Sequence, residues 1–153
     1  MTGGTRQLVD AFCEGATGHD DVELVVRRAD RAEAPDVLAA DAMLFATPEN
    51  LASMAGMMKD FFDRTYYAVL ERVDGRPYAT IVCAGSDGQG AARQIARIAT
   101  GWRLKPVAEP LVVITHAQTP EAILAAKSID APSLDRAREL GAAMAAGVSM
   151  GIW

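Results

Sequence analysis

The sequence predicts an α/β fold built on a doubly wound parallel sheet, and two observations lead there. Four short apolar runs recur along the chain: Val22 to Val26, Ala42 to Ala46, Tyr78 to Ala84 and Leu111 to Ile114. They are runs rather than alternations, which is the pattern of strands covered on both faces. Around them lie apolar stripes at helical spacing: Leu8, Val9, Phe12, Cys13 and Ala16; Met54, Met57, Met58, Phe61 and Phe62; Ala91, Ala92, Ile95, Ala96 and Ala99; Leu134, Ala137, Gly141, Met144 and Val148. With a short helix between the first two runs, the order is α, β, α, β, α, β, α, β, α.

Each element has local support. Thr2-Gly3-Gly4-Thr5 opens the first helix, whose first N–H groups have no intrahelical partner. The glycines put no Cβ between the backbone and an oxyanion, and the threonines add hydroxyl donors, so a phosphate fits this turn. The same residues also fit an ordinary helix cap. Asp74-Gly75-Arg76-Pro77 marks the turn into the third run, and Thr119-Pro120-Glu121 reads as a helix start with Pro at its first position.

A doubly wound sheet binds ligands at the carboxyl ends of its strands. Three loops are therefore of interest: Thr2 to Thr5, Thr47 to Ser53 and Gly85 to Gly90. The first is unusual, because a phosphate turn in such a sheet follows a strand and no apolar run precedes Thr2. A missing inner strand leaves backbone groups and apolar faces unpaired. The sequence thus predicts that the natural product starts upstream of Met1 or that another segment fills the slot.

At 153 residues and 50% apolar content, the chain suits one domain, 1–153, with a real core. A formal charge of −5 argues against general affinity for nucleic acid or an anionic membrane. Cys13 and Cys83 lie far apart on apolar segments and read as reduced core thiols, which fits the cytoplasm. No uncharged apolar stretch approaches the ~20 residues that span a bilayer.

Ala46-Thr47-Pro48-Glu49-Asn50, followed by Gly56, Met58-Lys59, Phe61 and Asp63-Arg64, resembles the second flavin loop and following helix of the flavodoxin-fold FMN oxidoreductases. That group contains NAD(P)H-dependent FMN and quinone reductases. Thr2-Gly3-Gly4-Thr5 is similar to the end of the family's phosphate turn, Ala84-Gly85-Ser86-Asp87-Gly88 to its third loop, and Gly151-Ile152-Trp153 to its usual ending. The resemblance covers nearly all of the chain and implies the flavodoxin-like strand order 2-1-3-4-5, with the first strand absent from this sequence.

The resemblance further implies that Thr2, Gly3, Gly4 and Thr5 hold the FMN phosphate. Pro48, Glu49, Asn50 and Leu51, with Thr47 in the same loop, would line one side of the isoalloxazine, and Ser86, Asp87 and Gly88 would meet its other edge. The Pro48 loop also fits a plain strand-to-helix connection with Ser53 as N-cap. Flavodoxins that serve as electron carriers usually sandwich the flavin between aromatic side chains, and these loops have none. With the mild net charge, that departure shifts weight toward an enzyme whose second substrate lies on the exposed flavin face.

Other signals are weaker. Gly88-Gln89-Gly90-Ala91-Ala92-Arg93 lacks the third glycine of a dinucleotide turn. Arg93, Arg97, Arg103 and Lys105 form a basic cluster that reads as a solvated face, with an NADPH phosphate as the alternative. His19 and His116 lack companions at metal-ligand spacing. Tyr66 and Tyr67, beyond the Met-rich helix, fit core, substrate contact or dimer surface.

The leading expectation is an FMN oxidoreductase that takes hydride from NADH or NADPH and passes electrons to a quinone or similar small acceptor, without nucleic-acid or membrane partners. The cofactor supplies the chemistry, so no nucleophile and base constellation is needed. A homodimer is compatible, with Met150, Ile152 and Trp153 as candidate contacts. The rivals are a non-catalytic electron carrier and a flavin-free member of the fold. A phosphorylation switch is disfavoured because Thr47, not Asp, ends the second run.

Overall fold

The computed structural model describes residues 2–153. In chain order it contains α1 (Gly4–Ala16), α2 (Ala34–Ala39), β1 (Met43–Asn50), β2 (Ser53–Met54), α3 (Gly56–Val69), β3 (Pro77–Ala84), α4 (Gln89–Gly101), β4 (Lys105–Pro106), β5 (Leu111–Ile114), α5 (Pro120–Leu124) and α6 (Ala131–Ser149). No helix among the described residues is long and apolar enough to cross a membrane.

β3 is the centre of a mostly parallel sheet. It pairs with β1 from Met43↔Tyr78 to Pro48↔Cys83, and with β5 from Ile81↔Leu111 to Ala84↔Ile114. The short β4 joins its amino end, and β2 folds back antiparallel on β1. All eight β3 residues are buried, as a continuous apolar run requires when helices cover both faces.

Successive β3 side chains point to opposite faces. Ala79, Ile81 and Cys83 meet Leu8 and Phe12 of α1 and Met144 of α6, whereas Tyr78, Val82 and Ala84 meet α3 and α4. On the second face Phe45 packs against Phe62 at 5.1 Å and Trp102 at 6.3 Å between ring centroids. On the first face α1 and α6 touch backbone to backbone: a Cβ at Gly15 would strike the Arg138 carbonyl, and one at Gly141 the Phe12 carbonyl.

Three of the four predicted strands form, the α/β class holds, and so do the helical stripes except in α3, where Met57 is exposed. One strand does not form. Residues 22–28 form no regular secondary structure and join no ladder among the described residues, and Leu24, Val25 and Val26 are exposed. An apolar run becomes a strand only where a neighbour supplies the other half of its hydrogen bonds, and none of the described strands pairs with this run. Met54 also departs from expectation: it belongs to β2, so its helical stripe begins at Gly56.

Candidate functional site

The carboxyl ends of β1, β3 and β5 form a rim where the predicted loops meet. α1 begins there. Gly4 lies so close to the end of β3 that a Cβ on it would sit 2.7 Å from Cys83 Sγ, and Cys83 is the register partner of Pro48 at the end of β1.

At the first loop, Gly3 is the N-cap of α1 with φ 85°, a left-handed geometry that favours glycine. Neither threonine caps the helix through its side chain, and the first turn contains no acidic residue. The first intrahelical bond is Gln7 N–H to Gly3 C=O at 3.1 Å. Among the described residues, the N–H groups of Gly4, Thr5 and Arg6 therefore have no acceptor, which leaves three donors and the positive end of a 13-residue helix facing outward. The two glycines divide the work. Gly3 provides the turn, whereas Gly4, buried against Cys83, Lys127 and Ile129, packs the turn onto the sheet while its N–H stays among the three free donors.

The second loop is a hairpin. Glu49↔Met54 and Asn50↔Ser53 pair across a two-residue turn in which Leu51 and Ala52 both have positive φ, 51° and 59°. That is the turn preferred between twisted strands, made here without glycine at a cost of order 1 kcal/mol per residue. Leu51 projects fully into solvent. Thr47 is 1% exposed, and its hydroxyl accepts from Ala55 N–H at 3.1 Å and donates to the Pro48 carbonyl. It anchors the loop instead of presenting a donor at the rim. Ser53 does not cap α3, whose N-cap is Ala55; its hydroxyl donates to Gln94 Oε1.

The third loop carries Ser86 and Asp87 exposed at the rim and Gly88 buried. Gly88 is the N-cap of α4 with φ 79°, and a Cβ there would strike Val112. The Glu49 carboxylate accepts from Gly88 N–H at 2.8 Å and Ala91 N–H at 2.9 Å, so an internal anion occupies the start of α4 and ties the second loop to the third. Glu49 thus has a positioning role that its place in the sequence does not announce.

A fourth segment completes the rim. Thr115 N–H bonds the Ala84 carbonyl at 2.8 Å, and His116 follows, exposed, with φ 54°. Further on, Lys127 N–H donates to the Thr2 carbonyl at 2.8 Å. Gln7 clamps this contact: its Nε2 donates to the Lys127 carbonyl at 2.7 Å, and its Oε1 accepts from Ile129 N–H at 3.1 Å. Burial pushes the Cys83 thiol up from its ordinary range, and the nearby Lys127 charge opposes that shift. Nothing in the local sequence singles out Gln7, because its partners lie 120 residues away.

Two surface hollows, of about 190 Å³ and 320 Å³, lie elsewhere. One is lined by Lys59, Asp63 and Tyr67 on α3 with Ile98, and the other lies at the amino end of β5 beside Arg136. Neither is lined by the rim loops.

With the rim defined, comparison with known proteins places the chain. The family model described as NADPH-dependent FMN reductase matches residues 6–119. The chain belongs to that family. A curated flavodoxin of Aquifex aeolicus is 31% identical over 97 residues, covering 62% of this chain and 50% of its own, so the chain spans about half the length of that relative. A flavodoxin from the domain Archaea superposes with a TM-score of 0.75 at 17% identity, over 97% of this chain and 92% of its own. An NAD(P)H:quinone oxidoreductase from Methanothermobacter marburgensis gives 0.57 at 18% identity, over 92% and 88%. At these identities the structural matches establish the flavodoxin-like fold.

Proposed function

We propose that this member of the FMN reductase family binds FMN at the rim and acts as an oxidoreductase, taking electrons from NADH or NADPH and delivering them to a quinone or similar small acceptor. The observation that carries the reading is the start of α1. Three backbone donors, a glycine turn and no first-turn acid suit a phosphate ester. Thr2, Gly3, Gly4 and Thr5 would hold the phosphate, Gly4 through its backbone N–H while it also packs the turn onto β3. Pro48, Asn50 and Leu51 would flank one side of the ring, and Ser86, Asp87 and the Gly88 backbone the other, while Thr47 and Glu49 fix those loops in place.

When bound, FMN supplies the electron transfer itself, and the residues of the chain supply binding and orientation. The phosphate turn fixes the anionic end. The hairpin and the third loop, joined through Glu49, form one unit that sets where a flat ring can lie. Leu51 offers an apolar surface without an aromatic lid, which leaves one side open to a second substrate.

The decisive test is the purified protein with FMN added, measured for flavin absorbance after gel filtration and for oxidation of NADH and NADPH with and without a quinone. The reading expects one flavin per chain and nucleotide oxidation that depends on it. A chain that retains no flavin would refute it. The second reading, a non-catalytic electron carrier, is favoured by the similarity to flavodoxins, and flavin binding without nucleotide turnover would select it.

A further inference from the structure

One peptide plane of the phosphate turn has two accessible orientations. Gly3 has φ 85°, and glycine occupies positive and negative φ about equally readily, so the Thr2–Gly3 peptide can turn over at little backbone cost. In a planar trans peptide the carbonyl and the following N–H point opposite ways. One orientation therefore offers the rim the Gly3 N–H, and the other offers it the Thr2 carbonyl, which repels an anion. The helix does not choose between them. Its first bond starts at the Gly3 carbonyl, and the Thr2 carbonyl lies outside it.

The choice is made by a contact from the far end of the chain. The Thr2 carbonyl accepts from Lys127 N–H at 2.8 Å, and the Gly3 N–H has no acceptor among the described residues. Lys127 is itself held from two sides. Gln7 Nε2 donates to the Lys127 carbonyl at 2.7 Å and to the Gly3 carbonyl at 3.3 Å, while its Oε1 accepts from Ile129 N–H at 3.1 Å. The Lys127 ammonium donates to the carbonyls of Ala122, Ile123 and Ala125 at 2.6, 3.0 and 2.7 Å, which folds the segment behind it into one tight turn. The packing of α1 on α6 is carried elsewhere, by the close approaches at Gly15 and Gly141 and by Leu8, Phe12 and Met144. The Gln7 carboxamide thus acts on the turn.

We propose that Gln7 is a positioning residue: by holding Lys127 against Thr2 it keeps the Thr2 carbonyl off the bound anion and the Gly3 N–H toward it, and so makes the chain select a phosphorylated flavin over the same flavin without its phosphate. This rests on the reading that the α1 turn holds the FMN phosphate. Gln7 works through the Thr2–Gly3 peptide, so its influence is confined to ligands that carry the anion. A loosened domain, by contrast, loses both flavins alike.

Titration of the 153-residue chain and its Gln7→Met variant with FMN and with riboflavin, followed by flavin fluorescence, tests this. Methionine keeps the length of the side chain and removes all three of its hydrogen bonds. The parent chain is expected to bind FMN more than about a hundredfold more tightly than riboflavin, and Gln7→Met to narrow that ratio by at least about tenfold while riboflavin affinity stays within about twofold. If the variant does not fold, the coupling is read in the parent chain: by reciprocity, saturating FMN must slow hydrogen exchange at the Lys127 and Ile129 amides more than saturating riboflavin does. The proposal is overturned if Gln7→Met leaves the ratio unchanged or weakens both flavins equally, or, in the exchange experiment, if the two flavins protect these amides to the same extent. A parent chain that does not distinguish the two flavins overturns the phosphate assignment itself, and this inference with it.

Discussion

Two helix starts on the same rim make an instructive pair. α1 and α4 are each 13 residues long, and each begins on a left-handed glycine, Gly3 at φ 85° and Gly88 at φ 79°, with no side-chain cap of its own and no acid in the first turn. They differ in what meets the exposed N–H groups. At α4 the Glu49 carboxylate arrives from the neighbouring loop and takes two of them. At α1 no described carboxylate does so. One helix end is neutralised from within the protein, and the other has no such partner among the described residues, so the geometry that builds the scaffold at α4 leaves free donors at α1 for the proposed phosphate.

The sharpest way to break the comparison is to add a methyl group at each cap. At Gly88 the added Cβ meets Val112 and lies 3.3 Å from the Ala84 Cβ, on top of the backbone strain, so Gly88→Ala is expected to cost about 3 kcal/mol. At Gly3 the nearest atom is Gln7 Nε2 at 3.8 Å, so Gly3→Ala costs only the strain, about 1 kcal/mol. Urea denaturation of both variants measures the difference. Equal losses would mean that the buried contact at α4 contributes nothing.

Removing the internal anion is the next test. Glu49→Ala deletes two charge-assisted hydrogen bonds and frees the hairpin from α4, with an expected loss of about 2 kcal/mol. Faster exchange at the Gly88 and Ala91 amides would show that the carboxylate protected them. At α1 the reverse experiment applies. Thr5→Asp places a carboxylate where the proposed phosphate sits, and is expected to lower flavin content at least tenfold with the melting temperature nearly unchanged. Unchanged flavin content would defeat the phosphate assignment.

This pair also shows what the sequence could convey. Both glycine turns are legible from Gly3-Gly4 and Gly88-Gln89-Gly90 as local signals, and the strands at Ala42, Tyr78 and Leu111 from their apolar runs, because periodicity and turn chemistry are local. The role of Glu49 is not local. Its partners are 39 and 42 residues away, and a carboxylate in a flavin-type loop reads equally well as a ligand contact. The same holds for Gln7, whose clamp closes across 120 and 122 residues. The run from Val22 to Val26 misled for a related reason: composition announces a strand, but only a neighbour makes one.

The smallest expected effect concerns the thiol beneath the α1 turn. Burial raises the Cys83 pKa above its ordinary 9.0, with Lys127 pulling in the opposite direction. A thiol whose pKa is higher in the folded state contributes stability that is fully present below the unfolded value and is lost as pH rises through the folded one. Cys13 and Tyr78 shift the same way through burial, Cys13 with a further push from Asp10. The unfolding free energy is therefore expected to be flat with respect to these groups below about pH 8 and to decline above pH 9. The Cys83→Ser variant separates the thiol under the turn from the other two: its decline should be shallower than that of the parent chain. An identical slope would show that the pH dependence arises away from the rim and that the α1 start is insensitive to the group beneath it.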